Sequence, residues 1–515
     1  MRLRSLQFIA FFLVMGKASA QESAKIELEH ADVSEFSQTE TGGADRLSGN
    51  VIFKHENAIM YCDTAYLYRK ENRVDTYGHV RIVKENFSVT TLRMKYNGES
   101  KLAQLFNNVV MKNGNMTLNT SRLDYNLKDD LSYYTDSAHI VDGENVITSR
   151  LGYYYNKTSD MFFKKDVIVT NPKFRMNCDT LQYNDASHIA YFHGPTYIYS
   201  DENTVYCEGG WYDTDKKKSL FTQNAFLKTK EQRLSGDTVM YDKNLALGTG
   251  YGNVSIYDST EKIIITGNYA EHFELLDSSY VTGNAVLIQI YETDSMFIHG
   301  DTLKAYLDPK YKGVSNEKEK KRNIFAYNHV KIFKPDLQGK CDSLVYTMND
   351  STIRLFGTPL LWSGMNQLSA DSLSIQMANS RIERAYLVNS SFVVSRADTL
   401  ENGVIDSLRF NQIRGKNMTG YFADNKLYKL EVNGNGQTIY YTKNNRQKTT
   451  GTNRADCSDL VIGVKENKVQ RIKLLNDPAG TLYPVKETSP HEMRLKGFSW
   501  QVEKRPKTKE DIFRH

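Results

Sequence analysis

Five aspartates recur in one local context. Asp63, Asp179, Asp237, Asp301 and Asp342 each follow Cys or Gly and precede Thr or Ser, as in Cys62-Asp63-Thr64 and Gly236-Asp237-Thr238. A row of carboxylates could bind calcium or supply a general acid and base. The simpler reading is a turn or strand-start residue whose carboxylate accepts hydrogen bonds from nearby backbone. His188 and His193 stand close in sequence, but five positions apart on a strand puts them on opposite faces. The other histidines show no metal-ligand spacing, and no nucleophile elbow, phosphate loop or dinucleotide fingerprint sits in a strand–helix context. The residues predict neither an enzyme nor a bound cofactor or metal. The five cysteines are too few and too scattered for a disulfide scaffold, and three of them (Cys62, Cys178, Cys341) occupy the same repeated position, which suits a small buried residue. Cys178 and Cys207 lie about one repeat apart, so an oxidising compartment would allow a disulfide between them.

The elements that carry these residues are repeats. One piece reads Cys178-Asp-Thr-Leu-Gln-Tyr183-Asn184 and Gly236-Asp-Thr-Val-Met-Tyr241-Asp242; a second reads Tyr77-Gly-His-Val80-Arg-Ile82, Tyr251-Gly-Asn-Val254-Ser-Ile256 and Tyr327-Asn-His-Val330-Lys-Ile332. Apolar anchors fall at Leu92, Leu123, Leu151, Leu181, Trp211, Val239, Tyr269 and Leu303. Their spacing is roughly 30 residues, which lies in the range of stacked architectures. Within each unit the apolar period is two: Leu181 and Tyr183 share one face, as do Val254 and Ile256. Alternation over short segments bounded by Gly, Asn and Asp is the signal of strands. The fold class is therefore all-β: an elongated jellyroll or solenoid of stacked strand pairs. With one rung per unit on each wall, roughly thirteen units at about 4.8 Å give a body about 60 Å long. Its two ends would expose unpaired strand edges, which are templates for another chain.

The start of the chain has the form of a cleaved export signal: basic Arg2 and Arg4, an apolar run from Leu6 to Gly16, and the small-x-small site Ala18-Ser19-Ala20. Eleven apolar residues are too few to span a bilayer, which needs about 20. The whole sequence carries 66 Lys+Arg against 61 Asp+Glu; without residues 1–20 the excess falls to about +2. That balance excludes nucleic acid as the main partner.

The export signal, the regular strand repeats and the Asp-Thr-Leu-x-Tyr and Gly-x-Val-x-Ile alternation together resemble the OstA-like N-terminal domain family. That family includes the organic solvent tolerance proteins and LptA-like periplasmic proteins of lipopolysaccharide transport. The resemblance runs from about Asn50 to Val394. It implies a β-jellyroll of two facing sheets, in two or more tandem copies. It also implies a protein that is periplasmic, or peripheral to the outer membrane, and that binds lipopolysaccharide acyl chains and helps carry them outward. Implied partners are lipopolysaccharide or lipid A, other envelope transport proteins joined by edge-strand pairing, and further copies of itself head to tail. The family's outer-membrane member carries a large barrel; no run of barrel strands follows Val394, so a barrel partner would be a separate chain.

Candidate groove-lining residues are Val80, Ile82, Val109, Leu181, Tyr183, Val239, Tyr241, Val254, Ile256, Val330 and Ile332. Each can equally be plain core. The predicted organisation is a signal at 1–20, a lead-in at 21–48, a first jellyroll region at 49–300 and a second at 301–475 with a charged insertion at 310–322. A charged, partly ordered tail at 476–515 completes it. The rival readings are a surface adhesin or structural solenoid, and a β-helix enzyme acting on polysaccharide.

Overall fold

A computed structural model describes residues 25–39, 41–84, 87–201, 203–230, 232–292, 294–314, 316, 319–378, 381–397, 408–444, 449–465, 468–484 and 489–514. The expected export signal lies outside the described residues. The chain forms two compact units, one through Ser187 and one from His188. Strand pairing continues past residue 300, from Ser295–His299 and Thr302–Leu307 into Arg322–Lys334. All 36 described strands pair antiparallel, and no α-helix occurs among the described residues.

In the first unit, alternation drives the chain into long strands that return on themselves by tight turns. Asp45–His55 pairs with Ala58–Tyr68, which pairs with Arg73–Lys84, and the meander continues through Phe174–Asn184. Every second strand is interrupted at its middle. Register slips between Ser48 and Val51, between Tyr77 and Val80, between Phe106 and Val109, and between Lys164 and Val167. The two residues skipped have positive φ: Gly49 and Asn50, Gly78 and His79, Asn107 and Asn108, Lys165 and Asp166. Glycine meets that demand without a Cβ penalty, and Asn, Asp and His tolerate it better than most residues. Asn50, His79, Asn108, Ser137 and Asp166 follow one another at strictly equal intervals, which set the length of the repeat. The sequence anchors blur this interval because they mix faces. Leu123, Leu181 and Val239 point inward, whereas Leu92 sits opposite a bulge and is 49% exposed.

A bulge bends a strand. Repeated at one level of every rung, it folds the sheet in half. His55 lies at one end of its strand and Tyr96 at the opposite end of another, yet the Tyr96 hydroxyl is 2.6 Å from His55 Nδ1. On a flat sheet those ends would stand about 30 Å apart at about 3.3 Å per residue. Phe87 meets Tyr125 at 5.1 Å between ring centroids, and Lys84 reaches Asp130 at 3.3 Å, by the same closure. Each repeat is therefore a hairpin that adds two strands to each wall, not one. Between the walls Leu47, Phe53, Met60, Met94, Leu105, Met111 and Leu123 are fully buried. The void beside Met111 and Phe163 holds about 20 Å³, space for a single water.

The Asp row belongs to the bulges. Asp63 accepts from His79 Nδ1 at 2.7 Å, Asp237 from Asn253 at 3.0 Å, and Asp301 pairs with His329 at 2.9 Å. Each carboxylate holds a positive-φ residue of a neighbouring strand. No group of three or more metal-ligating side chains occurs among the described residues. The cysteine column is small and buried, as expected: Cys62, Thr91, Thr120, Ser149, Cys178 and Cys207 succeed one another on it. The Cys178–Cys207 disulfide does not form in this structure. Cys207 is a thiol, pushed up to about 12 by burial, and faces Thr196 across its strand pair.

The second unit carries the meander from Ile189–Tyr199 to Ala479–Pro484. Its later part has a closed interior built on Leu344, Ile353, Leu373, Ile375, Leu430 and Leu460. The residues beyond 488, expected as a partly ordered tail, lie against the outer face of these strands as a strap. Two glutamines clamp it. Gln412 donates to the Met493 carbonyl and accepts from the Leu495 amide, both at 2.9 Å; Gln367 donates to Ser499 at 2.8 Å and accepts from Gln501 at 2.7 Å. Arg505 donates to Gln338 at 2.7 Å, and Phe513 packs on His299 at 5.0 Å. Met493, Leu495, Phe498 and Trp500 cover Phe392, Val394, Phe410 and Ile439.

Two outcomes follow. Gly78 has φ +74°, and a Cβ there would stand 2.3 Å from an Asp63 carboxylate oxygen. Gly78→Ala should destabilise the first unit by about 1–3 kcal/mol, read from its urea midpoint at unchanged slope. Gln412→Ala leaves two buried strap groups unpaired. It should cost about 2–4 kcal/mol and make the segment after residue 488 a preferred site of limited proteolysis.

Candidate functional site

The interior opens in one stretch of the second unit. From Thr204–Asp213 through Ile263–Phe273, inward side chains that would be buried elsewhere become half-exposed. They surround a cavity of about 380 Å³, lined by Val205, Phe221, Leu234, Val239, Ile256 and Ile263 among others. The lining is mostly apolar. Its rim is polar: Asn203, Gln232 and Glu261 stand at one set of strand ends, and Glu271, Glu274 and Arg322 at the other.

The repeat explains why the space exists. At equal sequence spacing, one inward position reads Val74, Ala103, Ser132 and Met161 in the first unit and Ala190, Ser219 and Gly248 in the second; another reads Thr76, Leu105, Tyr134 and Phe163, then Phe192, Phe221 and Gly250. Both columns end in glycine at the cavity. A Cβ on Gly248 would meet nothing within 4 Å; one on Gly250 would touch Val254 at 3.1 Å. Gly248 thus leaves open room beside its backbone, whereas a side chain at Gly250 would have to displace Val254.

A tyrosine column makes the same point. Tyr96, Tyr125, Tyr154, Tyr183, Tyr212 and Tyr241 occupy equivalent inward positions near strand ends, one in each successive repeat. In the first unit Tyr96 and Tyr154 reach the opposite wall, at His55 and at Asn113 (2.6 Å). Tyr241 does not cross. Its hydroxyl donates to Glu274 at 3.0 Å on its own side, and burial together with that carboxylate pushes it up to about 12. The next inward residue of this row is His272, whose Nδ1 lies 3.0 Å from Ser279 Oγ. Burial holds its imidazole below the ordinary value, against the opposing pull of Asp277 and Glu274. Lys321 pairs with Glu261 at 2.6 Å across the mouth, and Arg322 pairs with Asp277 at 2.8 Å. The charged insertion at 310–322 thus ends at the cavity. These groups frame a mostly apolar slot with a hydrogen-bonding mouth, a shape that can shield an apolar chain.

The candidate residues divide accordingly. Val239, Tyr241 and Ile256 line the cavity, and Val254 packs beneath Gly250. Val80, Ile82 and Val109 are fully buried in the first unit, where Leu181 is also buried and Tyr183 half-buried. Val330 and Ile332 belong to the closed core of the second unit. Phe221, Met240, Gly248 and Gly250 escape the sequence reading. Alignment of successive repeats on the bulge interval shows glycine at Gly250 where the preceding repeats carry Tyr134, Phe163, Phe192 and Phe221, and that is the available signal.

Residues 23–179 and 177–237 match the family described as OstA-like protein. Residues 264–381 match the family described as the LptA/(LptD N-terminal domain) LPS transport protein. No curated protein matches the chain. Among solved structures, the chain is similar to LptH from Pseudomonas aeruginosa, the LptA homologous periplasmic component of a lipopolysaccharide transport device. The two share 13% identity over 24% of this chain and 82% of that one, with a TM-score of 0.18. Residues 23–237 are thus similar to the OstA-like family, and residues 264–381 to the LptA/(LptD N-terminal domain) family.

Proposed function

We propose that this chain is a periplasmic lipid-binding protein of lipopolysaccharide transport, and that the cavity beside Gly248 and Gly250 takes an acyl chain on its way toward the outer membrane. The observation that carries the reading is the pairing of an apolar cavity of about 380 Å³ with an interior otherwise filled by its own side chains. Each methylene withdrawn from water contributes about 0.8 kcal/mol, so one chain suffices for useful affinity. Val239, Tyr241 and Ile256 would touch it. Val80, Ile82, Val109, Leu181, Val330 and Ile332 act as core, and the first unit serves as a filled stack rather than as part of the groove. The families matched are transport proteins, and the reading needs no catalytic residue. Partners in this reading are lipopolysaccharide or lipid A and other envelope transport proteins, a separate outer-membrane barrel among them.

Gly248→Met restores the residue type that Met161 supplies in the same column. It should lower uptake of lipid A by about tenfold or more, measured by native mass spectrometry, while the thermal midpoint holds or rises because a strand glycine is replaced. Uptake equal to that of the unaltered chain would move lipid binding away from this cavity.

His272 supplies a pH signature. Its folded value lies below the ordinary 6.5, so the unfolded chain takes the proton first. The stability that neutral His272 contributes is present above about pH 6.5 and is lost as pH falls. Between about pH 7 and pH 5.5 the thermal midpoint should drop, and His272→Gln should make the drop shallower.

A further inference from the structure

The strap lies along a row that continues past it. Cross-strand pairing places Ile439, Gln412, Val394, Gln367, Trp362, Gln338 and Phe333 side by side on the outer face, and the strap covers this part. The row runs on through Phe297, Ile288, Ile264, Tyr257 and Arg233 toward Tyr199. No described segment covers that stretch. Tyr257 is 39% exposed and Tyr199 40%. Beside it Tyr197, Tyr206 and Phe226 stack at 4.7 and 5.4 Å between centroids, with the Arg233 guanidinium 4.2 Å over Phe226.

The fold does not require this composition. At the equivalent outward positions the first unit carries Ile59, Val83, Val141 and Val146 among Lys54, Ser88, Lys112, Thr117, Thr170 and Arg175, and no aromatic ring. Where the second unit's row is covered, apolar side chains alternate with the glutamines that hold the strap. Where it is uncovered, Phe297, Ile288, Ile264 and Tyr257 follow one another without a polar break before Arg233, which marks a surface that something else dries. The strap shows what this row accepts: extended polypeptide crossing the strands and presenting Met493, Leu495 and Trp500 to the sheet. Lys228, Lys230 and Arg233 gather at the far end of the open stretch.

We propose that the open stretch from Phe297 to Tyr199 seats an extended segment of a partner protein, laid across the strands as the strap is. The segment offers alternating apolar side chains to the row and a carboxylate to Arg233 and the neighbouring lysines. Phe297, Ile288, Ile264, Tyr257 and Tyr199 do not line the cavity, so neither reading depends on the other.

The test pans a displayed library of random dodecapeptides against residues 21–515, with the triple variant Tyr199→Thr, Tyr257→Thr, Ile264→Thr as the control. Threonine recurs in the first unit's equivalent rows, so the variant should fold, which its thermal midpoint and retained lipid A uptake will report. The expected peptides alternate apolar residues, include an acidic one, photocrosslink to p-benzoylphenylalanine at position 257, and bind the variant more weakly by about tenfold or more. Peptides that bind chain and variant equally would overturn the proposal. So would a failure to enrich any peptide, or a row protected instead by vesicles of phosphatidylethanolamine and phosphatidylglycerol or by glycan strands.

Discussion

Positive-φ residues placed at the middle of alternate strands, mostly two in succession, are the constraint on which this architecture rests. Without them the alternating sequence would make flat hairpins with one wet face and one apolar face left bare. With them each strand turns the corner and serves both walls, and the apolar face closes on itself. The cost is local. A residue such as His79 at φ 36° or Asn253 at φ 45° carries backbone strain, and a carboxylate on the adjacent strand, Asp63 or Asp237, holds it in place. Backbone geometry thus gives Asp63, Asp237 and Asp301 a structural role.

Closure then becomes a matter of what fills the interior. In the first unit bulky inward side chains meet across the walls, and tyrosine hydroxyls tie opposite strand ends together. In the second unit Gly248 and Gly250 withdraw that filling and Tyr241 turns back to Glu274, so the walls enclose space. The same repeat makes a filled stack in one unit and encloses an open cavity in the other.

Much of the fold was legible because strand alternation has a period of two and survives any error in unit length. Leu181 with Tyr183 and Val254 with Ile256 fall on the inner face as their spacing requires. The true repeat interval was less legible, because each bulge inserts a residue and carries nearby anchors such as Leu92 to the wrong face. The cavity was nearly invisible. A glycine in a strand reads as a weak point or a bulge, and only comparison down a column shows that Gly248 stands where Met161 stood. The strap was hidden for another reason. Gln367 and Gln412 look like solvent-facing polar residues until a distant segment is seen to pair with their amides.

The hairpin nature of the repeat has a consequence for how such a chain can change length. One repeat begins and ends at the same strand end and on the same face. Gain or loss of one whole repeat therefore shifts everything downstream by one hairpin and leaves every inner side chain inner. A change one residue shorter or longer would turn the following strand over and expose its apolar side to water. Growth by duplication is then nearly free of frustration, provided it comes in whole units. Copies made this way start identical and can diverge at single columns, so a filled repeat and a hollow one need differ by little more than a side chain.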